Sequence, residues 1–377
     1  MCNKKYQALI ISSWVYSTPP KDGDAVAKIV YDLSKKISKD ELNIHYTIFD
    51  IQDEYNNKSY EEIYPNLDIK RIKIPIYIKW NFKHIYFHFM ALFFWILNWY
   101  RLVVSNNQWG VFLSKLFFRK TIFISHSPFW WIKYQKWEVL ASKISNKPIA
   151  ISNHIFSEMK KYNNSTSLIY NGVDIEKYKL INVSRKKSFL YVWKICERKN
   201  IFFLIKAFEI LQKKYWINDY VLDIVWPFQE DFWSNENKYY LDVKKYIDDN
   251  KIMNINFHWP KWENELIDFY NKSSFFILPS LSEWMPLVLL ESMSCWCIAI
   301  SNDFKWLKNY FPKESWLYVY DYNKIDSLIE VILDLIKLDE NQLLKLRNNI
   351  IKYIENNYSY EIIAKKYNYE IKKLLWI

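Results

Sequence analysis

A chain that turns sharply between strands and helices needs residues that tolerate positive φ, and glycine alone does so without steric penalty. This 377-residue chain has 3 glycines, where ordinary usage of about 7% predicts roughly 26. It has 19 tryptophans, several-fold more than a typical chain. Together the two types hold about the share that glycine alone normally holds. A strand–helix protein with three glycines lacks residues for its positive-φ turns and helix C-caps. The composition therefore implies that many tryptophans stand where the natural protein has glycine. The natural route is a UGA codon written as Trp although its source reads UGA as Gly. The abundance of Lys, Asn, Ile and Tyr fits an AT-rich genome in which such recoding occurs. The alternative is a truly Trp-rich chain that stacks on sugars or single-stranded nucleic acid.

The length suits two ordinary domains, and 51% hydrophobic with 25% charged residues is normal for a soluble globular protein. A net charge of +11 admits nucleic acid, an anionic membrane surface or phosphorylated substrates as partners. No Lys/Arg-rich arm or recognition motif singles out nucleic acid, so none is expected. The cysteines Cys2, Cys196, Cys295 and Cys297 form neither a disulfide framework nor a zinc spacing, which fits a reduced, cytoplasmic protein. Met1–Lys5 runs straight into the strand-like YQALIISS with no signal peptide. The apolar stretch 84–99 is 16 residues with two histidines, too short and polar to span a bilayer. It reads as a helix docked in a core or touching a membrane surface.

Strand-like and helix-like segments alternate along the chain. Strands are expected at 6–13, IHYTIFDI, YRLVVSN, TIFISHS and PIAISN, with a helix at 25–37. After SLIYNGVD the pattern restarts: strands at 188–193, 220–226, 255–259 and 275–280, helices at 201–215, 287–295 and finally 359–375. This predicts an α/β protein of two parallel-sheet domains with a boundary near 165–180. In doubly wound sheets ligands bind at the carboxyl ends of the strands. Trp14, Trp193, Trp226, Trp259 and Trp284 each end or closely follow a strand, where glycine allows tight turns and close backbone approach.

Read with glycine at those places, five segments in order resemble the family 4 retaining glycosyltransferases. They are LIYNGVDIEKY, LYVWKICERKNIFFLIKAFEIL, INFHWPKWENELIDFYNKSSFFILPS, SEWMPLVLLESMSCW and NYSYEIIAKKY. A lone Glu–seven residues–Glu pattern is weak; five such segments at matching spacing are specific. The resemblance implies the GT-B fold, two doubly wound Rossmann-like domains with a cleft between them. It implies an N-terminal acceptor-binding domain at 1–170, a C-terminal nucleotide-sugar domain at 171–356, and a helix at 357–377 crossing back. The implied reaction moves a sugar from a nucleotide diphosphate donor to a glycan or lipid-linked acceptor hydroxyl.

Negative charge then builds on the departing diphosphate, so fixed cations and N–H dipoles should face it. Lys194 and Lys199, five apart near a helix start, can both reach such phosphates. The family usually has Arg at the first position, and Lys194 keeps the charge without the bidentate fork. The resemblance assigns Glu283 to the donor sugar hydroxyls and Glu291 to the ribose. It assigns Trp193 and Trp284, as glycines, to close backbone approach. The backbone of Met285, Leu287 and Val288 would receive donor oxygens, while Pro286 suits the first helical turn. His126 resembles a cleft histidine near the reacting carbon, and Gly23 a glycine that admits the diphosphate. His258, Pro260 and Lys261 flank the strand end expected near the base.

No metal is expected: the Asp-Gly-Asp at 22–24 resembles a metal motif of another glycosyltransferase fold but sits too early. Glycine is expected at 14, 193, 226, 259, 284, 296, 306 and 316. The aromatic, basic stretch 71–104 points to peripheral membrane association, at the inner face of the cytoplasmic membrane. Two other readings of the letters remain: a non-catalytic carbohydrate-binding protein if the tryptophans are genuine, and a sugar-nucleotide epimerase of the same fold.

Overall fold

The computed structural model describes residues 6–12, 17–20, 25–40, 43–117, 119–126, 132–181, 183–193, 195–225, 235–258 and 263–376. The chain divides into two units: Met1–Gly172 with Tyr360–Ile377, and Val173–Ser359.

The first unit carries β1 (Tyr6–Ile11), β2 (Ile44–Ile51), β3 (Tyr60–Tyr64), β4 (Leu67–Ile72), β5 (Leu102–Ser105), β6 (Lys120–Ser125), β7 (Lys147–Ala150) and β8 (Ser167–Leu168). Their order is β3-β4-β2-β1-β5-β6-β7-β8. All pairings are parallel except β3 with β4. The second unit carries β9 (Lys186–Val192), β10 (Val221–Val225), β11 (Ile255–His258), β12 (Ser273–Leu278), β13 (Ile298–Asn302) and β14 (Tyr318–Tyr320). Its order is β11-β10-β9-β12-β13-β14, all parallel. The central strands are near-continuous apolar runs such as LVVS in β5 and SSFFIL in β12. Parallel strands covered by helices on both faces read this way.

Local signals set the helices. Ile201, Leu204, Ile205, Phe208 and Leu211 recur at helical spacing and are buried on one face of helix Ile201–Tyr215. Asp339 and Gln342 form a capping box at the start of helix Glu340–Tyr358. Gly110, in helix Gln108–Leu116, lies so close to β5 that a Cβ there would sit 2.2 Å from Ser105 Oγ. The β3–β4 hairpin and the helices at Ile325–Ile336 and Glu340–Tyr358 were not expected from the alternation.

Nine described residues other than glycine have φ in the left-handed region, and six of them are tryptophan. Trp296, Trp306 and Trp316, with φ of 64°, 78° and 60°, were expected to be glycine positions. Trp99, Trp216 and Trp376, with φ of 54°, 57° and 63°, were not singled out. A bulky L-residue in this region is a steric outlier. Trp296 shows why the backbone turns there. Its N–H donates to the Met293 carbonyl at 3.1 Å and the next N–H, of Cys297, to that of Ser292 at 3.0 Å. That is the Schellman ending of helix Leu287–Ser294, whose C′ residue is usually glycine.

Candidate active site

The second sheet has the strand order in which the first and fourth strands in sequence, β9 and β12, are neighbours and the chain winds outward from them in opposite directions. Crevices for ligands form outside the carboxyl ends of the strands at this switch point. The loops leaving the two strands meet there. Leu281 N–H donates to the Arg198 carbonyl at 2.9 Å, and Arg198 Nη1 donates to the Ser282 carbonyl at 2.8 Å. These two bonds set Lys199, in the 3₁₀ turn Glu197–Lys199, against Glu283. Lys199 Nζ hydrogen-bonds Glu283 Oε1, and Arg198 Nη1 stands 3.6 Å from Glu283 Oε2.

Lys199 is only 3% exposed. Burial pulls its ammonium below the ordinary lysine range, and the Glu283 carboxylate pulls it back up. Trp193, half-buried just after β9, places its ring centroid 4.9 Å from Lys199 Nζ. Its N–H donates to the Val225 carbonyl at 3.1 Å. Neither Trp193 nor Trp284 has positive φ. At 193 the case for glycine is one of space, because the indole fills volume beside the lysine.

Helix Leu287–Ser294 begins on Pro286, whose ψ of 108° makes it the N-cap residue. The expectation that Pro286 sits in the first helical turn is corrected accordingly. No side chain caps this helix start, so its first N–H groups lack the usual side-chain acceptor. Met285 and Val288 are buried there and Leu287 is half-buried. Glu291, one turn further, is buried and accepts a 3.0 Å hydrogen bond from the Tyr270 hydroxyl. Beside that carboxylate, burial and the negative charge push Tyr270 well above the ordinary tyrosine range.

In the first unit, His126 follows β6. Its Nε2 lies 2.8 Å from Asn106 Oδ1, and Asn106 Nδ2 donates to the Ile11 carbonyl at 3.0 Å. That second bond turns Oδ1 toward the histidine, so Nε2 carries the proton. Nδ1 is buried and has no partner. Burial lowers the imidazole to about 4, which keeps it neutral at pH 7. His258, at the end of β11, is held by Asp223 at 2.7 Å and meets the Phe269 ring at a tilt, 4.6 Å between centroids.

The structure thus brings Trp193, Lys199 and Glu283 together and adds Arg198; it separately pairs Glu291 with Tyr270, and neither Arg198 nor Tyr270 was expected. Arg198 is adjacent to Lys199 in sequence, but nothing in the letters says that its backbone and side chain bridge two loops. Gly23, Lys194, Trp14, Trp226, Trp259, Pro260 and Lys261 lie outside the described residues. Among the described residues no group of three or more His, Cys, Asp or Glu could hold a metal ion.

Residues 174–357 match the family model for glycosyl transferases group 1. Over 155 residues the chain is 28% identical to the capsular polysaccharide biosynthesis glycosyltransferase CapH of Staphylococcus aureus, covering 41% of each protein. Over 242 residues it is 25% identical to the UDP-Gal:alpha-D-GlcNAc-diphosphoundecaprenol alpha-1,3-galactosyltransferase of Escherichia coli, covering 57% of this chain and 58% of that one. The matched regions thus span about half the length of these relatives. The fold is similar to that of sucrose-phosphate synthase from Thermosynechococcus elongatus, with a TM-score of 0.81 and 16% identity over 98% of this chain and 99% of that one. Anabaena HepE in complex with UDP gives a TM-score of 0.74 at 12% identity, over 98% and 100% of the two chains. The architecture is GT-B, as the motif resemblance implied, with the two parallel-sheet units that the alternation of strands and helices predicted.

Proposed function

We propose that the chain is a retaining glycosyltransferase of family 4, moving a sugar from a nucleotide diphosphate donor to a glycan or lipid-linked acceptor. The observation that carries this is the pairing of Lys199 with Glu283 where two loops meet at the switch point, inside the segment that matches the group 1 family. HepE is described with bound UDP and UDP-glucose, and the E. coli relative is named for a UDP-sugar donor and a lipid diphosphate acceptor. Both names support a nucleotide-sugar donor.

In this reading the donor exchanges the Lys199–Glu283 pair for two better-matched contacts. Lys199 turns to the diphosphate, whose charge grows as the glycosidic bond breaks, and Glu283 accepts from the sugar hydroxyls. Stabilisation that strengthens as the leaving group departs acts on the transition state. The uncapped start of helix Leu287–Ser294 offers N–H groups to donor oxygens, and Glu291, oriented by Tyr270, takes the ribose. Lys194 supplies a second cation, and the loop carrying Gly23 admits the diphosphate. Neutral His126, held through Nε2–H by Asn106, faces the reacting carbon. No metal takes part. The reaction belongs at the cytoplasmic face of a membrane, where sugar nucleotides meet a lipid-linked acceptor.

Glycine at 193 and 284 belongs to the same proposal, since the Trp193 ring beside Lys199 fills space the diphosphate needs. UGG codons at these positions would refute the recoding. The enzyme reading is tested by unfolding midpoints of the glycine-restored protein with UDP-, GDP- and ADP-sugars. Donor at about 100 times Kd should stabilise by about 2.7 kcal/mol, and protection by none of them sinks the assignment.

A further inference from the structure

The stretch from residue 69 to residue 137 holds eleven Lys and Arg and no Asp or Glu. The chain's whole formal excess of +11 therefore falls there, and the remainder balances. Within it lies helix Trp80–Asn98, which is apolar on two opposite faces. The inner face is seated in the core of the first unit: Phe87 and Ala91 are buried, and Phe87 lies 5.3 Å from Phe49 between ring centroids. The outer face carries Phe82, Ile85, Phe89 and Phe93, which are 53–63% exposed at helical spacing that keeps them in one ridge. The turn before the helix adds Ile76 and Tyr77, 93% and 85% exposed. Lys73, Lys79 and Arg101, all exposed, flank the helix in sequence, two before it and one after it.

Large apolar side chains gathered on one exposed face mark an interaction surface. A cationic rim around an apolar ridge is the pattern of a helix lying in the interface of an anionic bilayer, with aromatics at acyl depth and lysines among the headgroups. Among the described residues no helix is long and apolar enough to cross a membrane, so the contact is one of lying on the surface. Nucleic acid fits less well, because the ridge itself offers phosphates nothing. None of these six side chains is tryptophan, so all six are present whichever tryptophans are glycine.

We infer that the first unit docks on anionic membrane through the ridge Phe82, Ile85, Phe89 and Phe93, with the Ile76–Tyr77 turn entering the same interface. This is independent of the catalytic proposal, and its test needs no sugar donor. The full chain is sedimented with vesicles of phosphatidylcholine alone and with about a third phosphatidylglycerol. Binding should be at least about tenfold tighter to the anionic vesicles and weaken in about 0.5 M salt. The triple variant Ile85→Ser, Phe89→Ser, Phe93→Ser should lose about tenfold of that binding while keeping its circular dichroism and unfolding midpoint, since the three side chains are exposed. Three results overturn the inference. The first is no preference for anionic vesicles. The second is binding that the triple variant leaves intact, which marks a general polyanion surface such as one for nucleic acid. The third is self-association that the variant abolishes in a chain that does not bind vesicles, which marks a contact between copies.

Discussion

Replacing Trp216 by glycine should stabilise the second unit. Trp216 ends helix Ile201–Tyr215 at φ 57° and ψ 26°, and its side chain is 80% exposed. Removing the indole therefore forfeits little packing. Holding an L-residue in the left-handed region costs about 1–2 kcal/mol, and glycine removes that cost. Its greater freedom in the unfolded chain takes back about 0.4–1 kcal/mol, leaving a net gain of about 0.5–1 kcal/mol. Adding Trp316→Gly, at φ 60° and 42% exposed, should roughly double the gain. The assay is urea unfolding, reading the midpoint at constant slope. Trp216→Ala is the control: it removes the same indole but keeps the Cβ, so its midpoint should not rise. A glycine variant no more stable than the alanine variant would refute the argument that these tryptophans occupy positions shaped for glycine.

Other substitutions probe the site and its surroundings. Glu283→Gln leaves the buried Lys199 ammonium facing a neutral amide, and should cost about 3–5 kcal/mol of unfolding free energy; a loss below about 1 kcal/mol would mean that the pair behaves as an exposed one. Tyr270→Phe removes the hydroxyl that meets Glu291, and should cost about 1.5–3 kcal/mol in the same urea assay. For His126 the folded value of about 4 lies below the ordinary 6.5, so the unfolded chain binds the extra proton between them. Stability contributed by the neutral imidazole is thus present above about pH 6.5 and lost as pH falls toward 4, by at most about 3 kcal/mol. His126→Gln should flatten a plot of unfolding free energy against pH across that window, and an unchanged slope would refute the assignment.

Strand positions were legible because parallel strands covered on both faces leave continuous apolar runs, as in IHYTIFDI and FFIL. Helix Ile201–Tyr215 was legible to the residue, since its apolar spacing runs unbroken between two left-handed ends. The β3–β4 hairpin was not. β3, YEEIY, is an edge strand, and edge strands carry charge to discourage pairing with other chains. At the site, Lys199 and Glu283 could be picked by residue type and spacing. The two loop-to-loop hydrogen bonds of Arg198 could not, because they depend on which strands become neighbours. The glycine deficit pointed to Trp296, Trp306 and Trp316 through motif positions. It missed Trp99, Trp216 and Trp376, whose only mark is their place just past a helix end.

The last helix, Tyr360–Leu375, belongs to the first unit. It packs on helix Ala25–Asp40 through Lys36 and Glu361, with Asn368 Nδ2 donating to the Ile37 carbonyl at 3.2 Å. Glu370 binds Lys147 at 2.9 Å and accepts from Ser167 at 2.6 Å. The other unit is closed by Val173 N–H donating to the Tyr358 carbonyl at 2.8 Å, just before this helix begins. On the ribosome, then, the later-synthesised unit is complete first. The earlier one must wait, with part of its core open, for a helix roughly 190 residues downstream of its own boundary. Domains usually form in the order they are made; here the nested one should finish ahead of the one that surrounds it in sequence.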